Sequence, residues 1–572
     1  VNQTPTMAER HRAEYEGHGL FAGVDGRVTW QTFIEYDGLV VSDITLHPPA
    51  GGWDIEALTM EIPLRADLAQ HIRIPKRVSW DGKTWRSGFQ PYVWVGNDAE
   101  GFDWFFDSDA NWVFEPNDKL TEITVDGDTA TVRLRIIAKA VNATKPLRYR
   151  FGFQATPVRP LMSNWRAFRY NSHPMKHLTH IGYSASQSTQ FALYDVAHPE
   201  IYGPRRKKGL AKPKSERVPC FIYGGALCTP NKNPTFDFFK PLWINPFGGG
   251  FFNQRRKPHP LKPEEDTFAY DLIRVSQASS YTDYLMWQAE NLARNYGASC
   301  FYTDMDRFAP DANRLHGCGY TDAFGKSGAT YHVVERRAFY KRLTTIARNA
   351  PEGPGLYMAH AHDNLVLPYH GFADLFFPGE QYTHQLYKKP FFYLEELDPV
   401  AWRVELGSKS SGVNHVFLPE FVRGSGDPMH RKIPGPTESL LAMTCTHDLV
   451  TSAAYCHDPT VEEYWGIQIR TGLDQDNTRF VGYWEDGCPV STTGKATRAS
   501  VSLPEGKPVV IAVANTGPEM TTTKLTIDRK ALGLGDGPVA ATDERSSRTL
   551  VWQDGLLLCP VEGRNYTFVS LR

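Results

Sequence analysis

Between Pro160 and about residue 470 one rhythm repeats: a short apolar run, a polar break, then a stretch with an apolar residue every three or four positions. "YTDYLMWQAENLARNYGAS" places Ala289, Leu292 and Tyr296 on one helix face, and Gly297 supplies the stop. "YHVVERRAFYKRLTTIARNAPEG" repeats the pattern with Phe339, Leu343 and Ile346, and Pro351 ends it. Around these helices stand "CFYTDMD", "GLYMAHAHDN", "FADLFFPGEQY", "NHVFLPEFV" and "DLVTSAAYCH", each an apolar run that closes on polar groups. Strand–helix–strand alternation sustained over roughly 300 residues predicts a parallel sheet, and at this length a (β/α)8 barrel of the TIM type.

The flanks lack that rhythm. In "TVDGDTATVRLRIIAKA" apolar and polar residues alternate on either side of Asp126-Gly127-Asp128, which predicts a hairpin. "GLVVSDITLHP" and "ALTMEIPL" read as further short strands, and Pro157 and Pro160 mark where the pattern changes. β-signals return in "KPVVIAVANTG", "TTTKLTID", "TLVWQDG" and "RNYTFVSL". The chain has 572 residues, more than one core organises. The expected division is an N-terminal β-sandwich over 1–157, a catalytic barrel over 158–472 and a small C-terminal β-sandwich over 473–572. The fold class is therefore α/β plus all-β. Within the first region Trp94, Trp104 and Trp112 recur among Gly, Asn and Asp. Such rings either fill a sandwich core or project toward a carbohydrate.

A net charge of -2 gives no electrostatic pull toward nucleic acid or an anionic membrane. No apolar run is long enough to span a bilayer, and no signal peptide is read. The chain starts with Val1 and Asn2 rather than Met, which suggests a processed or trimmed start. A secreted or periplasmic location of bacterial type is the expectation. The 8 cysteines include no CxxC pair, which argues against structural zinc. Cys220 with Cys228, and Cys445 with Cys456, are spaced to bridge, but spacing does not assign the pairs. No cofactor and no metal are expected, and self-association is left open.

In a barrel of this type the chemistry gathers at the C-terminal ends of the strands. That rule selects Asp304 and Asp306 from "FYTDMD", and His360 and His362 from "MAHAHDN". It also selects Glu380 from "FFPGEQY", Glu420 from "FLPEF", and His447 and Asp448 from "CTHDL". The loop "RLHGCGYTD" adds His316 and Tyr320. Strand alternation would put Tyr302, Asp304 and Asp306 on one face. Carboxylates on separate strand ends, with His, Tyr and Trp around them, suit glycosidic hydrolysis. One acid protonates the leaving oxygen while the other attacks the anomeric carbon or activates water. Asp304 with Glu380 meets the separate-strand condition, and so does Asp304 with Glu420. Each residue also has a plainer role open to it. Asp306 pairs with Arg307 or caps the turn, and Glu380 is a surface acid. Glu420 pairs with Arg423, and His447 and Asp448 orient each other. His360 and His362 have the spacing of metal ligands along a strand, but sugar or core hydrogen bonding serves equally.

"QTFIEYDGLVVSDITL" with "VGNDAEGFDWFFDSDANW" resembles the N-terminal sandwich of glycoside hydrolase family 123. "FYTDMD…HGCGYTD…RRAFYKRL…MAHAHDN…FADLFFPGEQY" is similar to that group's barrel, and the resemblance runs to about residue 470. It implies β-N-acetylgalactosaminidase activity through an adjacent Asp-Glu pair at a strand end, assisted by the substrate's acetamido group. This chain departs there, with Asp304-Met305-Asp306; its Asp543-Glu544 falls in the C-terminal region. Only the position of Asp304 carries over, and a different sugar with a conventional carboxylate pair is expected.

The resulting expectation is a glycoside hydrolase with Asp304 and Glu380 catalytic. Asp306, His316, Tyr320, His360, His362, Glu420, His447, Asp448 and Trp465 would line the sugar subsites. A non-catalytic carbohydrate-binding protein is the alternative, as is a polysaccharide lyase with Tyr320 or His316 as base. The partner in each case is a carbohydrate, with neither nucleic acid nor membrane.

Overall fold

The computed structural model describes residues 2–21, 25–171, 181–183, 220–225, 228–230, 234–246, 251–252, 272–421 and 428–572. Its N-terminal part is two antiparallel sheets face to face. The larger has nine strands, ordered Asn2–Ala8, Arg12–Leu20, Arg27–Glu35, Val40–His47, Leu147–Thr156, Gly101–Phe106, Tyr92–Gly96, His71–Arg73, Arg77–Val78. The smaller has four: Leu58–Arg65, Thr129–Ile137, Thr121–Asp126 and Thr84–Ser87. The expected hairpin is present, with Asp126 opposite Thr129.

Alternation along the central strands sets what each face meets. Val93, Val95, Trp104 and Phe106 point into the sandwich core with Ile123, Val132 and Leu134. Tyr92, Trp94 and Phe105 point the other way and join the core of the α/β region. "YVWVG" reads as continuously apolar because both of its faces are covered. The tryptophan edge is thus core rather than sugar platform: Trp94, Trp104 and Trp112 are all buried. The Arg73 guanidinium stacks 4.1 Å above the Trp94 ring. A buried ion cluster adds a second clamp, with Arg337 on Glu35 at 2.5 Å and on Asp37 at 2.7 Å.

The middle of the chain carries eight parallel strands paired in chain order. They are β1 (Tyr170–Asn171), β2 (Ile181–Tyr183), β3 (Cys220–Gly225), β4 (Cys300–Asp304), β5 (Tyr357–Ala359), β6 (Leu375–Phe376), β7 (Asn414–Phe417) and β8 (Val450–Thr451). Backbone bonds continue past the strand ends: Leu418 N–H donates to Pro378 O at 2.8 Å, and Ala453 N–H donates to Tyr170 O at 2.9 Å. The second of these joins the exit of the last strand to the first. Phe221, Tyr302, Met358, Leu375, Val416 and Val450 form one apolar cluster on one face of the sheet. Phe301, Tyr357, Ala359 and Phe376 pack on the other face with helices Tyr281–Tyr296 and Val333–Arg348. Both helices lie where the sequence stripe puts them, and Gly297 closes the first at φ 71°.

The C-terminal part is a six-stranded sheet over a four-stranded one. Val509, Ile511 and Val513 fill the space between them. Their neighbours Val510, Ala512 and Ala514 face the helices Pro434–Thr446 and Asp458–Thr471. Trp465 belongs to that interface, 1% exposed, so it is a packing residue and not a sugar platform. Cys445 and Cys456 are both free thiols, which excludes that bridge. The side chains of Cys220 and Cys228, and all of Arg423, lie outside the described residues. Among the described residues no helix is long and apolar enough to cross a membrane.

Candidate active site

Four residues from the sequence reading converge beyond the C-terminal ends of β4, β5 and β6. Asp304 ends β4. His360 follows β5 directly; its N–H donates to Thr303 O at 2.8 Å, and its carbonyl accepts from Asp306 N–H at 3.2 Å. That stitching holds the two exits in register. His362 sits two residues on, at φ 56°. Glu380 opens a short 3-10 turn after Pro378-Gly379. Gly379 is required there: its φ is 135°, and a Cβ would stand 2.0 Å from the carbonyl oxygen of Leu418. The chain is thereby pressed onto the exit of β7, and Glu380 turns toward β5.

The His360 imidazole is the hub. Its Nδ1 lies 2.5 Å from the Tyr302 hydroxyl and 3.3 Å from Asp304 Oδ1. Its Nε2 lies 3.2 Å from Glu380 Oε2, close but without hydrogen-bond alignment. His362 Nε2 approaches the same Glu380 oxygen at 3.5 Å, and the two imidazoles stack at 5.2 Å. Because one ring bridges the contacts, the two carboxylate oxygens lie within about 9 Å of each other, an upper bound that admits both the ~5–5.5 Å of a retaining pair and the ~6.5–9.5 Å of an inverting one. Phe377 packs edge-on against His360 at 5.6 Å and forms an apolar floor. The side chains of Asp304 and Glu380 are 16% and 14% exposed, shielded yet reachable. Burial, and then the neighbouring His360, lower the pKa of His362 and favour its neutral form. His360, His362 and Glu380 also bring ligand-capable atoms within 4.8 Å of one another, a donor set that suits a divalent ion.

The other sequence candidates lie elsewhere. Strand β4 ends at Asp304 because Met305 is left-handed, at φ 61°. Asp306 is therefore turned inward, fully buried, with His370 Nε2 3.8 Å away, and it does not share the face of Asp304. Glu420 follows β7 at the same end of the sheet but is fully buried beneath the Tyr393 hydroxyl, to which its N–H donates. Tyr320 donates to Asp109 of the sandwich at 2.6 Å. Both nitrogens of His316 are engaged, with Leu242 O and Asp311. His447 and Asp448 precede β8, so they lie at the opposite, N-terminal end of the sheet. Asp448 is held there by a two-pronged contact from Arg166 at 2.9 and 2.8 Å. They line a cleft of about 380 Å³ with Trp165, Arg403, Lys409 and Trp484, between all three parts of the chain. Two of its three acids are occupied by cations, Asp448 by Arg166 and Asp98 by Arg403 at 2.9 Å, and the third, Glu485, accepts from Gly482 N–H. The sequence reading placed Tyr302 on the face of Asp304 without giving it a role, and it did not single out Phe377 or the conformation of Gly379. Only Gly379 left a signal, in the Pro-Gly turn before an acid.

Residues 460–545 match the family model described as Glycoside hydrolase 123, C-terminal domain. The segment runs from the helix Asp458–Thr471 into the C-terminal sandwich, a different stretch from the ones that carried the resemblance in sequence. No curated protein matches the chain. Solved structures of similar shape include the galactosidase domain of alpha-galactosidase-sucrose kinase, AgaSK, at 9% identity, covering 99% of this chain and 83% of that one, TM-score 0.49. The alpha-galactosidase from Lactobacillus brevis follows at 9% identity, 100% and 85% coverage and TM-score 0.47. The GH36 alpha-galactosidase AgaA from Geobacillus stearothermophilus has 9% identity, 98% and 83% coverage and TM-score 0.44. Likeness this distant carries no argument about activity. Through residues 460–545 the chain is similar to the C-terminal domain of glycoside hydrolase 123, in line with a glycosidase of unassigned specificity.

Proposed function

We propose that this chain hydrolyses a glycosidic bond with Asp304 and Glu380 as its carboxylate pair, at the mouth of a (β/α)8 barrel. The reading of the sheet as a closed barrel is supported by the Ala453–Tyr170 bond between its edge strands and by the apolar cluster along one face. One observation carries the catalytic reading: acids from β4 and from the turn after β6 approach opposite nitrogens of one imidazole. Asp304 attacks the anomeric carbon or stabilises its developing positive charge. Glu380 protonates the departing oxygen and then takes a proton from the incoming water. His360 stands between the two acids, its Nδ1 beside the Tyr302 hydroxyl and its Nε2 3.2 Å from Glu380, and so spaces the two carboxyls. The lyase alternative loses support because Tyr320 and His316, its candidate bases, are committed to other partners.

The test is a panel of poly- and oligosaccharides, with products followed by NMR, for the native chain and for Asp304→Asn. Turnover of one sugar class, lost in the variant while its near-ultraviolet circular dichroism is unchanged, is the expected result. Asp304→Asn turning over at the native rate would reject the assignment.

A further inference from the structure

The loop after β4 carries a second cluster with chemistry of its own. Asp311, His316 and Cys318 place a carboxylate, an imidazole and a thiol so that their ligand-capable atoms all lie within 4.8 Å of one another. We propose that these three side chains bind a zinc-class divalent ion that fixes this loop. The cluster shares no residue with Asp304, His360 or Glu380, so the proposal stands independently of the catalytic reading.

The argument turns on His316. Its Nδ1 lies 2.6 Å from the carbonyl oxygen of Leu242, and its Nε2 lies 2.8 Å from Asp311 Oδ2. Both partners accept, yet a neutral imidazole has one proton to give. With Nδ1–H donating to Leu242, the Nε2 lone pair faces a carboxylate, and both groups are buried, at 5% and 0% exposure. A cation bound by both groups would take the place of the shared proton, with the two atoms parting from 2.8 Å to the roughly 3.3–3.7 Å separation of tetrahedral zinc ligands. The backbone carbonyl behind Nδ1 is the kind of partner that orients metal-bound histidines. Cys318 adds a buried thiol with no disulfide partner. A carboxylate, an imidazole and a thiolate together favour zinc over calcium or magnesium, which take oxygen donors. Tetrahedral zinc holds its ligand atoms roughly 3.3–3.7 Å apart, so the cluster needs only small adjustments.

The loop is also built to hold these groups in place. Asp311 pairs with Thr330 through two backbone bonds, at 2.8 and 2.9 Å. The Asn313 amide ties the turn to the carbonyls of Pro241 and Ile244. Gly317 and Gly319, at φ 84° and 74°, fold Cys318 back toward His316. The spacing Asp-x4-His-x-Cys is not a CxxC pattern, which is why the cysteine count pointed away from zinc.

The test uses the full chain, stripped by dialysis against a chelator and reloaded with Zn²⁺ or Co²⁺. We expect one tightly held ion per chain, a thiolate-to-cobalt charge-transfer band, and a rise of several degrees in Tm on adding zinc. Cys318→Ser should lose the charge-transfer band, and His316→Ala should lose the ion, whereas His362→Ala should keep both. Absence of a retained ion or of a thiolate band in the native chain would overturn the proposal, even if the variants do not fold. Loss of the ion in His362→Ala alone would overturn it too, by placing the metal at the other cluster. Native chain that is metal-free and fully stable would leave His316 hydrogen-bonded to Asp311 and Leu242 alone, and the proposal would be wrong.

Discussion

Gly379→Ala isolates the backbone feature that aims Glu380. The added methyl would stand 2.0 Å from Leu418 O, where a carbon–oxygen contact normally needs about 3.3 Å. The turn or the β7 exit must therefore retreat by about 1 Å. The φ of 135° is nearly closed to any residue with a Cβ, and holding one there costs on the order of 1–3 kcal/mol before the overlap is counted. Together these predict about 2–5 kcal/mol of lost stability. A displacement of ~1 Å at Glu380 predicts a fall in kcat/KM on the order of a hundredfold. Urea unfolding and turnover would be measured on the same preparations. Gly466→Ala is the matched comparison: it lies in the helix Asp458–Thr471, and its Cβ would meet nothing within 4 Å. It should gain roughly 0.5–1 kcal/mol and leave turnover alone. Native stability and native turnover in Gly379→Ala would refute the claim that this glycine positions the acid.

Trp94→Ala should cost about 3–5 kcal/mol in urea unfolding, since the ring is fully buried where the large sheet meets the α/β region; a loss under about 1 kcal/mol would show that this packing is slack. Acid should weaken the fold between about pH 6.5 and 5, because burial pushes both His415 and His447 down to about 3, while buried Asp107, pushed up to about 6, offsets only part of the loss. The folded pKa values of the two histidines lie below the unfolded value of ~6.5, so the unfolded chain binds more protons between those limits. Stability is full above about pH 6.5 and drains as pH falls, on the order of 1.4 kcal/mol per pH unit for each histidine. Unfolding free energies identical at about pH 7 and pH 5 would contradict this.

Sequence periodicity located the elements better than it located the side chains. The helix Tyr281–Tyr296 was legible because its stripe and its Gly297 stop are local signals. The strands were legible because coverage on both faces leaves them continuously apolar. Their ends were not, since β6 and β8 are two residues long and a neighbouring polar group reads the same whether it precedes or follows the strand. His447 and Asp448 were placed at the wrong end of the sheet for that reason. Asp306 was misplaced because alternation assumes an unbroken strand, and nothing in "TDMD" announces a left-handed Met305. The aromatic residues misled in another way: core packing and sugar stacking select the same side chains, and only burial separated Trp104 and Trp465 from a binding surface. The pairing of Asp304 with Glu380 could be read from strand ends, but the imidazole between them is a long-range contact with no local signature.

The most direct measurement is a double-mutant cycle on turnover, comparing Asp304→Asn, Glu380→Gln and the pair of substitutions in chains shown to be folded. If the two carboxylates act on one bond, each single change abolishes hydrolysis and the double variant is no worse than either. Activity retained in either single variant, or losses that simply multiply, would contradict the account.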